Sequence, residues 1–225
     1  AGDLIAIDAP EGIEKVYLLT GWSSDGKIGA VFERPREIGL FTMPAGGGKA
    51  VQIARGGSQP RWSPDGNRIL HVRGSNEGSG DWRGSAIASV PVEGGAATIV
   101  PIQSDAGIHI MPFGTGNRLS PDGTILVFSG RTQKKPQFHH IIWTLPVEGG
   151  TPRPLTEPSE KNTDFFPCWS PDGKMIAFVR GEFSENPAEM IGRANIYSVS
   201  VNGGEPKSLT SESDNVSFSP IAWSP

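Results

Sequence analysis

The sequence predicts an all-β protein, a β-propeller made of four-stranded antiparallel blades. Two observations support this prediction: one turn motif recurs four times, and a second turn motif lies between successive copies of the first. The copies are 40 to 57 residues apart, which is comparable to the length of one propeller blade. A β-sandwich is the alternative, but a sandwich gives no reason for two turn types to alternate strictly.

The first turn motif is Ser-Pro-Asp-Gly. Proline sets φ to about −65° at the second position, aspartate tolerates the third, and glycine accepts positive φ at the fourth. This pattern predicts a type I turn with a left-handed glycine between two antiparallel strands. The copies end at Asp25-Gly26 (where Ser24 replaces proline), Asp65-Gly66, Asp122-Gly123 and Asp172-Gly173. A fifth copy begins at Trp223.

The second turn motif contains two glycines, which supply the positive φ of a tight hairpin. Its glycines are Gly46-Gly47, Gly94-Gly95, Gly149-Gly150 and Gly203-Gly204. The segments between the motifs are rich in Ile, Val, Leu and Phe and are predicted as strands. We predict repeats at about 15–55, 59–102, 113–156 and 166–210, with terminal pieces of a further blade at 3–14 and 216–225.

Composition and charge exclude several classes of protein. The chain has 225 residues, with 30 glycines, 20 prolines and a net charge of −4. A near-balanced charge without a basic cluster argues against nucleic-acid binding. The apolar runs are too short for a transmembrane helix, so we expect no membrane insertion. Cys168 is the one cysteine, so no intrachain disulfide can form.

Candidate binding residues lie in connections that differ in length between repeats. Such loops on a rigid scaffold are the usual place for binding. The predicted connections are 74–84, 103–112, 131–138, 157–164 and 181–192. The candidate residues are Asp81, Trp82, Arg83, His109, Met111, Phe113, Phe138, His139 and Phe183. Trp82 is the predicted anchor, because exposed Trp and Arg dominate binding hot spots; the alternative is that Trp82 covers a blade edge.

No catalytic motif is found in the sequence. It contains no Gly-x-Ser-x-Gly, no His-Glu-x-x-His and no phosphate-binding loop, so no catalytic residue and no cofactor are predicted. A single cysteine excludes a Cys/His zinc site. His139 and His140 are expected to face opposite sides of a strand and therefore not to share a metal. We expect His71 to be a core histidine and Cys168 to be a buried, inert thiol.

The repeat resembles that of TolB-like propellers. The resemblance is carried by Trp62–Leu70 and Trp169–Phe178, and by outer hairpins at 149–156 and 203–210. It covers nearly the whole chain and implies a bacterial protein in the periplasm or outside the cell, although the sequence is also compatible with the cytoplasm. Such repeats occur in periplasmic Tol-system proteins, in propellers of prolyl oligopeptidase-like peptidases, and in uncharacterised surface or sensor proteins.

The sequence is compatible with three functions. The favoured one is a non-catalytic scaffold that binds a protein, peptide or small ligand on its loop-rich face or in its central channel. The alternatives are a substrate-gating propeller whose hydrolase domain is absent here, and an enzyme with its active site at the channel mouth. TolB-like propellers usually have six blades, so we expect either a piece of a longer polypeptide or a five-bladed ring with an incomplete blade.

Overall fold

A computed structural model describes residues 13–23, 25–34, 37–73, 86–104, 107–110, 119–132, 139–157, 159–184, 191–211, 216 and 219–224. Within these residues the chain forms four antiparallel sheets of four strands each, and the strand order in each sheet follows the chain. The described residues include no helix that could cross a membrane. The prediction of an all-β propeller is confirmed.

Each sheet takes four consecutive strands. The first sheet contains β1 (Lys15–Trp22), β2 (Lys27–Arg34), β3 (Glu37–Pro44) and β4 (Val51–Arg55). The second contains β5 (Ser58–Trp62), β6 (Arg68–Arg73), β7 (Ala86–Pro91) and β8 (Thr98–Ile99). The third contains β9 (Ile108–Ile110), β10 (Ile125–Thr132), β11 (Ile141–Pro146) and β12 (Arg153–Pro154). The fourth contains β13 (Asn162–Trp169), β14 (Met175–Phe183), β15 (Ile191–Ser200) and β16 (Lys207–Ser208).

The four Ser-Pro-Asp-Gly turns have the predicted geometry. The glycines have φ between 70° and 80°, and each glycine amide donates to the serine carbonyl three residues earlier. In the fourth sheet the Ser170 hydroxyl donates to Asp172 at 2.6 Å and accepts the Met175 amide at 2.9 Å. The other three copies repeat both bonds. The serine hydrogen bond is the largest cause of a lowered pKa for each turn aspartate.

The chain divides into two compact units, residues 1–100 and 101–225. In the first unit, Val31 and Leu40 of the first sheet pack with Ile69 and Val90 of the second. In the second unit, a cluster of fully or nearly fully buried side chains joins the third sheet to the fourth. Its members are Val127, Ile142, Leu155, Trp169, Ile176, Phe178 and Val199. These clusters arise because each sheet is apolar on a face that meets its neighbour.

Four of the five predicted connections are wrong in part, because strands extend into them. Residues 131–132 belong to β10, 162–164 to β13, 181–183 to β14 and 191–192 to β15. Residues 103–112 were expected to link two blades, but Ile108–Ile110 forms β9, the inner strand of the third sheet. It pairs with β10, where Ile110 lies opposite Gly130, and Leu119 pairs separately with Leu126 just before the turn. The sequence did not indicate this inner strand because residues 111–118 separate Ile108–Ile110 from the turn motif. In the other three sheets the inner strand ends directly before its turn motif.

The terminal pieces are only partly described. Residues 3–12 lie outside the described residues. Toward the other end of the chain, the described residues of 216–224 form no strand. Ile221 packs against a cluster that includes Phe165 and Val179, and the Trp223 indole donates to the Cys168 carbonyl at 3.3 Å. This segment therefore covers part of a hydrophobic cluster of the fourth sheet.

Candidate functional site

The two ends of each sheet are built differently. The turn end carries the repeated motifs, whose hydrogen bonds are nearly the same in every sheet. At the opposite end, which we call the loop end, the second and third strands are joined by residues 35–36, 74–85, 133–140 and 184–190 in the four sheets. A constant scaffold with connections of unequal length at one end is typical of proteins that bind through that end.

Three of the nine predicted binding residues lie within the described part of the chain. His109 lies in β9 opposite Arg131, so its placement on a connecting loop is corrected to a strand. Phe183, also predicted in a connection, is corrected to the last residue of β14, opposite Ile191. His139 lies two residues before β11. The other candidates, Asp81, Trp82, Arg83, Met111, Phe113 and Phe138, lie outside the described residues.

The structure brings His139 of the third sheet and Phe183 of the fourth together at the loop end. Their ring centroids are 5.0 Å apart with an interplanar angle of 43°, and both side chains are half-buried. His139 Nδ1 lies 2.7 Å from the Ser159 carbonyl oxygen. Because a carbonyl only accepts, Nδ1 carries a proton and donates it to this hydrogen bond. The pair offers an aromatic surface with a polar edge.

His140, the neighbour of His139, has different surroundings. Its side chain is buried, and its ring centroid lies 4.7 Å from that of Phe165. Its amide donates to the Thr163 hydroxyl at 3.1 Å, and its carbonyl accepts the Asp164 amide at 2.9 Å. The two adjacent imidazoles therefore contact different groups, and no cluster of three or more potential metal-ligating side chains is found among the described residues.

A buried ion pair, which the sequence analysis did not predict, joins two strands of the fourth sheet. Asp164 accepts two hydrogen bonds from Arg180, from Nε at 2.7 Å and from Nη2 at 2.8 Å. The Asp164 side chain is 3% exposed and that of Arg180 is 18% exposed. Burial disfavours the charged guanidinium, but the hydrogen bonds and charge of Asp164 outweigh it and raise the pKa of Arg180. Arg180 therefore remains charged at neutral pH.

The ion pair fixes the position of the loop end. The Arg180 guanidinium lies 4.9 Å from the ring centroid of Tyr197, which is a cation–π contact. The main chain at Asp164 is held by the third sheet, because its carbonyl accepts the Ser129 hydroxyl at 2.5 Å. Asn195, opposite Arg180, accepts the Thr210 hydroxyl at 2.8 Å. A polar row thus crosses the fourth sheet and ties it to the third.

Two further residues singled out in the sequence belong to the core. His71 is 3% exposed, neither ring nitrogen has a hydrogen-bond partner among the described residues, and burial lowers its pKa to about 4. Cys168 is 1% exposed, and burial raises the pKa of its thiol to about 11. Since the thiolate is the reactive form, Cys168 is a poor nucleophile. The buried placement predicted for both residues is confirmed.

No protein-family model matches the chain. A protein of Agrobacterium tumefaciens assigned as TolB matches with a TM-score of 0.68 and 18% identity, over 96% of this chain and 73% of that one. The chain has the TolB-like β-propeller fold. An acylaminoacyl peptidase of Pyrococcus horikoshii matches with a TM-score of 0.55 and 15% identity, over 89% of this chain and 33% of that one. The TolB-like propeller fold therefore also matches part of a larger peptidase chain.

One curated relative matches at higher identity. The "Uncharacterized peptidase YuxL" of Bacillus subtilis (strain 168) is 33% identical over 113 residues, which make up 49% of this chain and 16% of that protein. The match thus involves about half of this chain and a small part of that relative.

Proposed function

We propose that this TolB-like propeller is a non-catalytic scaffold that binds a protein or peptide partner at its loop end. The supporting observation is the contrast between the uniform turn end and the unequal connections of the loop end. In the third and fourth sheets this end presents the half-buried His139 and Phe183 rings side by side. Its setting is the bacterial periplasm or cell exterior, as in the Tol-system proteins that the repeat resembles.

The physical basis is preorganisation. Aromatic side chains supply large contact areas with little conformational entropy to lose, and they dominate binding hot spots. His139 and Phe183 rest on strands that the Asp164–Arg180 pair and the Ser129 hydrogen bond hold in place. A partner would therefore meet a surface already in its bound shape. In our proposal the connection 74–85, which contains Trp82, contributes the main anchor.

The test compares three substitutions in the immobilised full chain. Trp82→Ala and Phe183→Ala remove proposed contact residues, and Val51→Ala is the control because Val51 is 51% exposed on β4, away from the loop end. Partners are captured from a cell-envelope extract by crosslinking and identified by mass spectrometry. We expect Trp82→Ala and Phe183→Ala to lose the partner that the wild type and Val51→Ala retain.

Thermal unfolding of the same variants separates binding from packing. Trp82→Ala is expected to leave the melting temperature within about 2 °C of the wild type, because the proposal assigns Trp82 to binding and not to packing. A large fall would assign Trp82 to packing on a blade edge. Capture that is equal in all four proteins would refute binding at the loop end.

A second candidate function is the propeller of a hydrolase. It is favoured by the 33% identity to the peptidase of Bacillus subtilis and by the propeller match to a peptidase structure. In this second candidate function, the propeller controls the access of substrate to a separate catalytic domain. The test is to extend the reading frame beyond Pro225 and to label the natural full-length protein with a serine-reactive fluorophosphonate. A downstream Gly-x-Ser-x-Gly and stoichiometric labelling would replace the scaffold proposal.

A further inference from the structure

Two Gly-Gly turns of the second unit have the same backbone but different neighbours. Gly149 and Gly150 have φ of 94° and 125°, and Gly203 and Gly204 have φ of 90° and 118°. In the third sheet, the Gly150 amide donates to the Pro101 carbonyl at 2.8 Å, and the Gly150 carbonyl accepts the Gln103 amide at 2.8 Å. The segment 101–103 thus lies on this turn as a parallel strand, with Ile102 paired to Gly150.

The corresponding turn of the fourth sheet is open. Gly204 is exposed, and its amide and carbonyl make no hydrogen bond with any described residue. Beside it lies a cleft of about 650 Å³, a volume in the usual range of ligand pockets. The walls of the cleft come from the outer strand of the third sheet and the residues that follow it, from β14, and from the turn itself. They include Arg153, Leu155, Arg180, Asn202, Gly204 and Pro206.

The difference begins with the residue that follows each outer strand. After β12, the Thr156 hydroxyl accepts the Ile142 amide at 3.0 Å, so the chain is held against its own sheet. After β8, the Val100 amide donates to the Ile87 carbonyl and the next residue is Pro101, which has no hydroxyl. The chain beyond Pro101 lies on Gly150 instead. Among the described residues, the fourth-sheet turn therefore has no segment like the one that covers its third-sheet counterpart.

Arg153 occupies the place that a proline takes on the covered turn. On Gly149, a Cβ atom would lie 2.5 Å from Cγ and Cδ of Pro101, so the proline ring rests directly on this glycine. On Gly203, a Cβ atom would lie 2.8 Å from Nη2 of Arg153, and this nitrogen donates to the Asn202 carbonyl. Arg153 is exposed, and a long exposed side chain can swing away at small energetic cost.

We propose that the cleft beside Gly204 binds an extended, proline-containing peptide segment in the way that residues 101–103 lie on Gly150. The carbonyl of the bound proline accepts the Gly204 amide, and the amide two residues later donates to the Gly204 carbonyl. The proline ring displaces Arg153 from Gly203. This site lies beside the turn end of the fourth sheet and does not depend on Trp82, His139 or Phe183, although Arg180 both lines the cleft and pairs with Asp164.

The probe is the chain's own covering segment, the peptide Thr-Ile-Val-Pro-Ile-Gln-Ser of residues 98–104, with blocked termini. It is titrated into the full chain labelled with ¹⁵N-glycine. We expect a saturable shift of the Gly204 amide, while the Gly26 amide on the other type of turn does not move. A control peptide with an N-methylated glutamine lacks the donor for the Gly204 carbonyl and is expected to bind about tenfold more weakly or worse.

Matched variants locate the site. Asn202→Trp places a bulky ring at the rim of the cleft, and Glu148→Trp places the same ring at the matching exposed position of the covered turn. We expect Asn202→Trp to weaken binding about tenfold or more and Glu148→Trp to leave it unchanged. Arg153→Ala is expected to tighten binding severalfold, because the proline no longer has to displace a side chain.

Three results would each overturn the proposal: a Gly204 shift that does not saturate, a shift at Gly150 instead of Gly204, or equal weakening of peptide binding in both tryptophan variants. Weaker binding in Arg153→Ala would contradict the displacement of Arg153. Melting temperatures of both tryptophan variants show whether the fold is retained. None of these outcomes bears on the loop-end proposal, which depends on Trp82, His139 and Phe183.

Discussion

Buried His71 makes the stability of the protein depend on pH in a window above that of the four turn aspartates. Burial lowers the pKa of His71 from 6.5 to about 4, with a smaller contribution from the charge of Arg73. The folded state therefore keeps His71 neutral where the unfolded chain is protonated. Stability that is present above about pH 6.5 is lost as the pH falls toward about 4, because the unfolded state binds the extra proton.

The magnitude follows from the two pKa values. A difference from 6.5 to about 4 corresponds to at most about 3 kcal/mol, since one pKa unit is worth about 1.4 kcal/mol. Between about pH 7 and about pH 5 the linkage relation gives a loss of about 2 kcal/mol. The turn aspartates have pKa values lowered below 3.8, so they lose their stabilising charge only at lower pH.

The assay is urea denaturation at about pH 7 and about pH 5 for the wild type and His71→Phe. Phenylalanine suits the position because the corresponding residues of the third and fourth sheets are Phe128 and Phe178, both fully buried. We expect the wild type to lose about 2 kcal/mol more than the variant over this interval. Gly173→Val, which retains His71, is the control for a general loss of stability and is expected to keep the wild-type pH dependence.

Two results would refute this reasoning. One is an identical pH dependence in the wild type and His71→Phe. The other is an NMR titration in which the His71 ring protonates near its ordinary pKa of 6.5 in the folded protein.

Three further predictions concern the turns. Valine at Gly66, Gly123 or Gly173 is expected to lower the free energy of unfolding by about 1 kcal/mol or more, because a β-branched residue resists positive φ; unchanged denaturation midpoints in all three would contradict the turn assignment. Gly149→Ala is expected to lower the free energy of unfolding by at least about 1 kcal/mol more than Gly94→Ala. The two glycines have similar φ, but a Cβ on Gly149 would lie 2.5 Å from the Pro101 carbonyl oxygen, whereas one on Gly94 would meet nothing within 4 Å. Equal losses in thermal denaturation would refute the close approach. Ser170→Ala is expected to cost about 1 kcal/mol and to raise the pKa of Asp172 toward 3.8, because the hydroxyl that donates to this carboxylate is lost; an unchanged pKa in a ¹³C NMR titration would contradict that role.

The turns and most strands could be predicted because their causes are local. The serine, proline, aspartate and glycine of each turn motif act within five residues, so the sequence contains the whole hydrogen-bonding pattern. The apolar strands that follow are recognised from composition alone. β9 escaped prediction for the opposite reason: three residues, Ile108–Ile110, carry too little pattern, and their role appears only when β10 lies beside them.

The Asp164–Arg180 pair could not be predicted because it depends on strand register. The two residues are opposite each other in β13 and β14, but a register shift separates Phe165 from Cys168 in the same pair of strands. Phe166 lies within this bulge with a φ of 54°, an uncommon value for a residue with a side chain. The signal available in the sequence was a charged residue beside an apolar run in each of two strands, which indicates a partner without identifying it.

The differences between repeats carry more functional information than the repeat itself. Thr156 and Thr210 follow the outer strands of the third and fourth sheets, and each hydroxyl accepts an amide of its own sheet, from Ile142 and Ile196 at 3.0 Å. At the matching position the second repeat has Pro101, which leaves the chain free to lie on Gly150. The same turn is therefore covered in one sheet and open in the next because of one residue in a neighbouring repeat. In a protein whose scaffold is fixed by repetition, such departures are where a binding site can form without loss of the fold.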